Sequence, residues 1–141
     1  MRSEVEQKIN WRKRWLSSIN ELTSIELQKS SWLDKSNTNP HWSFTEFMCC
    51  YFDDLSLDNN YQDQLKISWI SEQEFKLIKE WHIALDKYES PTDDDDRESI
   101  LEDKKWLEIV NLGVIAKQEL IKYLNIEELN ILTEKIDYRR F

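Results

Sequence analysis

Glycine is nearly absent from this chain: Gly113 is the only glycine among its 141 residues. An average protein of this length contains about ten, because glycine makes up about 7% of typical sequences. The tight turns that join neighbouring β-strands need residues that tolerate a positive φ angle, above all glycine. Phosphate-binding loops and the nucleophile elbow of hydrolases also need glycines at fixed spacings. The sequence therefore disfavours a many-stranded β fold and excludes these glycine-dependent sites.

Apolar residues recur at helical spacing along most of the chain. This periodicity predicts helices over residues 4–28, 44–55, 71–88, 97–102, 104–124 and 126–136. Ser43 with Glu46, Ser71 with Glu74 and Asn125 with Glu128 have the spacing of capping boxes at helix starts. Residues 30–40 and 58–66 are polar and are predicted to be irregular. We expect an all-α fold, in which residues 1–141 form a single-domain bundle of five to six helices with an acidic loop at about 89–97.

Several features bear on where the chain acts. Its first ten residues are charged and contain no apolar core of a signal peptide. No apolar run approaches the roughly 20 residues of a membrane span. Cys49 and Cys50 are adjacent and are the only cysteines, so they cannot build a disulfide framework or a four-ligand zinc site. We expect a cytoplasmic protein without a cofactor.

The charge balance is strongly acidic, with 19 basic and 28 acidic residues and a formal net charge of −9. Residues 46–63, the first acidic window, contain five acids and no Lys or Arg. Residues 86–103, the second acidic window, contain nine acids and only two basic residues. Because nucleic acids and anionic membranes are negatively charged, such a surface repels both. We expect no direct binding to either, and a basic protein if there is a partner.

The acidic windows have two competing interpretations. A charge run is ordinarily a solvated loop that aids solubility, but it also suits a docking surface for a cationic protein. The candidate contact residues are Asp53, Asp54, Asp58, Tyr61 and Asp63 in the first window, and Asp93, Asp94, Asp95, Asp96 and Glu98 in the second. Tyr61 is included because an aromatic side chain beside charges is typical of interface anchors. Calcium is disfavoured, because an EF-hand loop starting at Asp93 would place Lys104 where a bidentate Glu belongs.

The two histidines are the first candidates for catalysis. His82 precedes Asp86 by one helical turn, a spacing found in acid–base pairs and also in local ion pairs on a helix. We favour the packed ion pair, and a small helical enzyme using His82 and an acid stays as an alternative. His41 follows Pro40 and is predicted to lie in a surface loop.

The two cysteines make weak nucleophiles. Asp53 and Asp54 follow them on the same predicted helix, and negative neighbours raise the pKa of a thiol. We therefore interpret Cys49 and Cys50 as small buried hydrophobes. No constellation of residues is specific enough to indicate an enzyme, so we expect a protein without catalytic residues or a metal site.

Three further features concern packing. The run from Trp11 to Trp15 is basic and aromatic and could stack on nucleic-acid bases. Its two tryptophans lie one turn apart on the apolar arc that also includes Val5 and Ile9, so core packing is the preferred interpretation. Gly113 lies inside a predicted helix, where it could let another helix approach closely. Ile83 and Ile115 fall on polar helix faces, and contact of either with a partner stays open.

Three segments together resemble a known family: FTEFMCCYFDDL (44–55), ISEQEFKLIKEWHIALDKYESP (70–91) and WLEIVNLGVIAKQEL (106–120). In their pattern of residue types and in helix order they are similar to the small all-helical immunity proteins of bacterial contact-dependent growth inhibition systems. The resemblance implies a cytosolic antidote that binds one cognate toxin domain, usually a nuclease, covers its active site and needs no cofactor. Among all-helical members of the family, ribonuclease toxins are the favoured targets.

Charge and resemblance lead to one expected function. An immunity protein with an acidic face would occupy the cationic groups with which a nuclease binds phosphate. The alternative is an acidic helical decoy or adaptor that binds a basic nucleic-acid-binding protein. A toxin gene beside this chain's own gene would favour the first function, and a phage or regulatory context would favour the second.

Overall fold

All regular elements of the computed structural model are helical over the part it describes, residues 3–140 with only the backbone of Arg140. The α-helices in order are α1 (Glu4–Leu22), α2 (Ile25–Trp32), α3 (Phe44–Phe52), α4 (Gln62–Lys66), α5 (Glu72–Lys87), α6 (Arg97–Glu102), α7 (Lys104–Leu120) and α8 (Ile126–Thr133). Short 3-10 turns cover Ile121–Tyr123 and Tyr138–Arg140. The predicted all-α class is confirmed. The number of helices in this part of the chain is eight rather than five or six.

One of the additional helices arises from a break in the predicted helix 4–28. The hydroxyl of Thr23 donates to the carbonyl of Ile19 at 2.7 Å where α1 ends. The Ser24 hydroxyl then accepts from the backbone N–H of Leu27 at 3.1 Å and starts α2. Ser and Thr side chains compete with the helix for backbone hydrogen bonds. The apolar periodicity continues through this break, so the sequence pattern did not reveal the break. Helix α2 extends to Trp32, into the segment that we predicted to be a loop.

The other additional helix, α4, lies in the segment 58–66 that we predicted to be irregular. It begins after Tyr61, whose φ of 68° puts the backbone in the left-handed region. Three more non-glycine residues near it, Ser56, Asn60 and Ser68, also have positive φ angles. A chain with one glycine thus makes its tight turns with Ser, Asn and Tyr. Left-handed Asn is common, but left-handed Tyr is unusual.

Aromatic side chains fill the core. Trp15, Trp32, Trp81 and Trp106 are each at most 2% exposed. Trp11 is 8% exposed and stacks on Trp15 with ring centroids 5.6 Å apart, which confirms that these tryptophans pack in the core. Helix α1 contacts α2, α3, α7 and α8, and α5 packs along α7.

Gly113 on α7 packs directly against Trp81 of α5 and Thr23 at the end of α1. A Cβ atom at this position would lie 2.5 Å from Cγ2 of Thr23 and 2.7 Å from Nε1 of Trp81. Both distances are too short for any side chain to fit without movement. The expected role of Gly113 in helix packing is therefore confirmed.

A buried arginine joins three helices. Arg12 on α1 donates from Nε to Oε2 of Glu128 on α8 at 2.6 Å. Its Nη2 donates to Oε2 of Glu74 on α5 at 2.7 Å, and its Nη1 donates to the carbonyl of Trp69 at 2.9 Å. Burial alone would lower the pKa of Arg12, but the hydrogen bonds to both glutamates outweigh burial and raise it. The guanidinium therefore stays charged and holds α1 against the N-terminal ends of α5 and α8.

The same two glutamates also cap the helices on which they lie. Both halves of the capping box are present at Ser71 with Glu74 and at Asn125 with Glu128, as predicted. At the start of α3, the Ser43 side chain accepts from the backbone N–H of Glu46. Each capped helix start thus lies where its spacing predicts, within a residue.

Candidate functional site

Four of the five acids of the first window follow the C-terminal end of α3, and the fifth, Glu46, lies in the first turn of this helix. Asp53 and Asp54 directly follow this helix, Asp58 lies in the next loop, and Asp63 lies in the first turn of α4. All four side chains are exposed, as expected for a surface that could meet a partner. No basic residue lies in the last turn of α3. Negative charge at this end of a helix is disfavoured by the helix dipole.

The candidate contact acids of the second window, Asp93 to Asp96 and Glu98, are also exposed, but some of them hold their own loop through hydrogen bonds. Asp96 caps α6, because its side chain accepts from the backbone N–H of Ser99 at 3.2 Å and from the Thr92 hydroxyl at 2.8 Å. Both hydrogen bonds lower the pKa of Asp96, and the bond from Thr92 has the larger effect. The Asp93 carboxylate accepts from the backbone N–H of Asp95 at 2.7 Å. These hydrogen bonds give part of the second window a structural role.

The acids of both windows are almost unpaired with cations inside the chain. Among the predicted contact acids, Asp54 alone forms an ion pair within residues 3–140, with Nη2 of Arg14 3.9 Å from its Oδ2. Both side chains of this pair are more than half exposed. Exposed ion pairs contribute about 0–1 kcal/mol, so this contact does little to neutralise the surface. The windows present nearly their full negative charge to solvent.

The contact acids of the two windows lie at opposite ends of α3. Arg97, which follows Asp96, donates from Nη1 to the carbonyl of Trp32 at 3.0 Å. The Trp32 ring lies 6.2 Å from the ring of Phe44, the first residue of α3. Asp53 follows the other end of this helix, about 13 Å away at 1.5 Å per residue. The acids therefore form two separate patches.

Tyr61 does not belong to the exposed surface. Its side chain is 0% exposed, and its hydroxyl accepts from Nε1 of Trp15 at 2.9 Å and forms a short hydrogen bond with the Tyr51 hydroxyl. Burial raises the pKa of Tyr61 well above 10. The prediction that Tyr61 is an exposed interface anchor is wrong. The left-handed turn at this residue carries its ring into the core, and its polar sequence neighbours gave no sign of burial.

His82 is a buried structural histidine. It is 1% exposed, its Nδ1 lies 2.8 Å from the Tyr51 hydroxyl and its Nε2 lies 3.2 Å from Oδ1 of Asn60. Burial lowers the pKa of His82 to about 4, although the charge of Asp86 acts in the opposite direction. A neutral ring that donates to Asn60 and accepts from Tyr51 satisfies both nitrogens. The structure thus gives His82 a packed role, without the ion-pair hydrogen bond to Asp86 that the spacing suggested.

A cleft of about 380 Å³ contains a cluster that the sequence analysis missed. The Nε2 of His41 lies 2.6 Å from Oε2 of Glu21, and its Nδ1 lies 3.9 Å from Sγ of Cys50. The hydrogen bond to Glu21 raises the pKa of His41. His41 is half-buried rather than a simple surface-loop residue. The three residues are far apart in sequence, so no local spacing could have predicted the cluster.

This cluster is poorly suited to thiol chemistry. Burial first, and then the charges of Asp54 and Glu21, raise the pKa of Cys50 to about 11. Burial and the charge of Asp53 likewise raise the pKa of Cys49. The predicted effect of the aspartates on the thiols is confirmed, while both cysteines are half-buried rather than fully buried. A nucleophilic cysteine needs a lowered pKa, whereas this environment raises the pKa of both thiols.

The cleft also does not assemble a set of metal ligands. The two nitrogens of His41 face different partners, so Glu21 and Cys50 cannot share one ion with this ring. Across residues 3–140, no group of three or more His, Cys, Asp or Glu side chains is arranged to hold a metal ion. What the cluster does is anchor the loop before α3 to α1.

Ile83 and Ile115 are exposed, at 36% and 52%, as their places on polar helix faces predicted.

None of the helices in the described part of the chain is long and apolar enough to cross a bilayer. No protein-family model, curated protein or solved structure matches this chain.

Proposed function

We propose that this chain is a small helical immunity protein of the bacterial cytoplasm. It binds one cognate toxin domain, a nuclease and in the first place a ribonuclease, and neutralises it by covering the active site. The observation that carries the proposal is the exposed acidic surface, on which only Asp54 of the candidate acids has an ion-pair partner within residues 3–140. The resemblance of residues 44–55, 70–91 and 106–120 to immunity proteins of contact-dependent growth inhibition systems supports it.

The mechanism needs charge and shape but no chemistry. A nuclease holds the phosphates of its substrate with Lys and Arg side chains. Carboxylates that face the same cations compete with the phosphates and exclude the substrate. Opposite charge also speeds the encounter, with association rates that can reach about 10⁸–10⁹ M⁻¹s⁻¹ at low salt. Fast capture suits an antidote, because it must bind the toxin before the toxin reaches its substrate.

The first window is the better candidate for the contact surface. Asp53 and Asp54 lie at the end of α3 where the helix dipole disfavours negative charge, and no basic residue in the last turn compensates for it. Asp96 and Glu98 of the second window lie at the N-terminal end of α6, where the dipole favours them. The acids at the end of α3 destabilise their own helix, so binding to a partner is the better explanation for them. The acids at the start of α6 stabilise their helix and need no such explanation.

The test is co-expression of the tagged chain with the toxin domain encoded beside its gene. We expect a 1:1 complex at about 0.15 M salt, rescue of growth, and slower association at high salt because screening shortens the reach of the charges. The variant Asp53→Asn/Asp54→Asn should slow association roughly tenfold. The matched control Glu80→Gln/Glu108→Gln removes two exposed acids outside both windows and should change the association rate less than about twofold.

Two results would count against this function. Absence of both complex and rescue would refute it for that toxin. Capture of a basic nucleic-acid-binding protein, with no toxin gene in the neighbourhood, would instead support the acidic decoy or adaptor. Equal effects of the window variant and the control variant would remove the first window as the contact surface.

A further inference from the structure

A groove of about 900 Å³ opens at one end of the molecule, between the first turns of α1, the α4–α5 connection and the start of α8. We call it the apolar groove, and its apolar lining includes Val5, Ile9, Trp69 and Tyr123. Val5 is 67% exposed, Ile9 46% and Tyr123 51%. Ile67 and Ile126, which are 54% and 72% exposed, each adjoin a lining residue in sequence. The groove is thus an apolar surface that this chain leaves open.

The clustering of these side chains separates them from ordinary exposed apolar residues. Nine large apolar side chains are exposed in the part of the chain that the structure describes; three of them, Val5, Ile9 and Tyr123, line this groove, and Ile67 and Ile126 adjoin lining residues in sequence. Single exposed apolar residues are normal, whereas contiguous apolar patches mark binding sites. The remaining four are Leu33, Ile83, Leu107 and Ile115.

The cause of the exposure is the length of α1. Periodicity places Val5 and Ile9 on the apolar arc that α1 buries further along, at Trp11 and Trp15. Helix α1 has 19 residues and α8, which packs against it, has eight, or about 28 Å against 12 Å. The first turns of α1 therefore extend past their packing partner. Their apolar face has nothing from within residues 3–140 to bury it.

The floor of the groove is held by hydrogen bonds and ion pairs within the chain. Arg12 lies there, held by Glu74, Glu128 and the Trp69 carbonyl. At the rim, Nζ of Lys13 lies 2.8 Å from Oε1 of Glu127. A preformed groove needs little ordering on binding, and this lowers the entropic cost of association.

The charges around the groove favour a cationic occupant. Four carboxylates line it, those of Glu72, Glu74, Glu127 and Glu128, against the three cations Lys8, Arg12 and Lys13. Arg12 pairs with both Glu74 and Glu128, and Lys13 pairs with Glu127, so the lining keeps a net charge of −1. Helix α4 connects the groove to the first acidic window, because Leu65 lines the groove and Asp63 lies on the same five-residue helix. A second copy of this chain would bring its own net charge of −9 to the same acidic surface, and an anionic membrane would also be repelled.

We infer that the apolar groove binds an apolar segment, flanked by Lys or Arg, of the same cationic protein that the first acidic window contacts. The inference rests on the proposed function and adds a second contact to it. The acids steer the partner and set the association rate, and the groove holds the partner through burial of apolar surface and sets the dissociation rate. Exposed apolar anchors beside a charged rim are typical of such interfaces.

The test measures binding to the purified toxin domain from the neighbouring gene. The variant Val5→Ser/Tyr123→Ser leaves the charge unchanged and alters two exposed side chains that line the groove. We expect it to raise Kd roughly tenfold, mainly through faster dissociation, and by the same factor at about 0.15 M and 0.5 M salt. The matched control Leu107→Ser, also exposed and near a helix start, should change Kd less than about twofold. Circular dichroism should show the same helix content in all variants.

The outcomes separate the inference from the function on which it rests. A complex whose Kd is unaffected by Val5→Ser/Tyr123→Ser overturns the groove contact and leaves the immunity function standing. A dimer of the chain alone that this variant dissociates, measured by sedimentation, also overturns it, because the groove would then be a contact between copies. If the unaltered chain forms no complex with the toxin, both the function and the inference fail.

Discussion

At the scale of single residues, the buried hydrogen-bond chain around His82 has a fixed direction. Trp15 Nε1 can only donate, so Tyr61 must accept from it and donate to Tyr51, which in turn donates to Nδ1 of His82. The Nε2–H of His82 then donates to Asn60. A protonated ring would donate from Nδ1 and reverse the Tyr51 and Tyr61 hydroxyls. The Tyr61 hydrogen would then face the Trp15 donor and have no acceptor.

Stability should therefore fall as the solution becomes acidic. The fold lowers the pKa of His82 from 6.5 to about 4, so the neutral ring is favoured in the folded state. The resulting stability is complete above pH 6.5 and is lost as the pH falls through about 4. The whole effect is at most about 3 kcal/mol. Urea unfolding at several pH values measures it, and His82→Gln serves as the control, since it removes this titration and leaves that of the carboxylates.

A second titration should not interfere in that range. The pKa of His41 is raised, mainly by its hydrogen bond to Glu21. Its contribution is complete below pH 6.5 and is lost as the pH rises through the folded-state pKa. If His82→Gln has the same stability profile between pH 6.5 and 4 as the unaltered chain, the assignment to His82 is wrong.

At the scale of elements, the network of Arg12 determines how three helices are held. The variant Arg12→Met removes the cation and leaves the Glu74 and Glu128 carboxylates facing each other in a largely buried site. Loss of one partner from a buried network costs about 3–5 kcal/mol. Chemical denaturation should show a loss of that size. The matched variant Arg12→Met/Glu74→Gln/Glu128→Gln keeps both caps and buries no unpaired charge, so it should recover most of the stability. A triple variant as unstable as Arg12→Met would contradict the charge argument.

The helices themselves were largely predictable, because apolar periodicity and capping spacing act within a few residues. The errors occurred where a polar side chain decided the structure, as at Thr23 and Ser24, or where a backbone turn moved an aromatic ring inward, as at Tyr61. The exposure of the candidate acids was predictable from their charge. The His41 cluster and the apolar groove were not, because both depend on contacts between residues distant in sequence.

At the scale of the whole molecule, the net charge of −9 includes acidic patches that differ in their effect on the stability of the fold. Two acids lie at the C-terminal end of α3, where the helix dipole disfavours negative charge. The acids at the N-terminal end of α6 lie where the helix dipole favours it. A protein that binds a cationic partner must keep acids where the partner needs them, even where the fold would be more stable without them. Stability and binding should therefore respond in opposite ways to changes in the first window.

The variant Asp53→Asn/Asp54→Asn should raise Tm by a few degrees and weaken binding to the proposed toxin partner, because it removes charges that the helix dipole disfavours and that the proposed contact uses. The variant Asp96→Asn/Glu98→Gln should lower Tm, since it removes favourable charges at a helix start. Thermal unfolding and binding kinetics on the same samples measure both effects. If the first variant lowers Tm instead, Asp53 and Asp54 have a structural role, and the cost argument for the first window no longer holds.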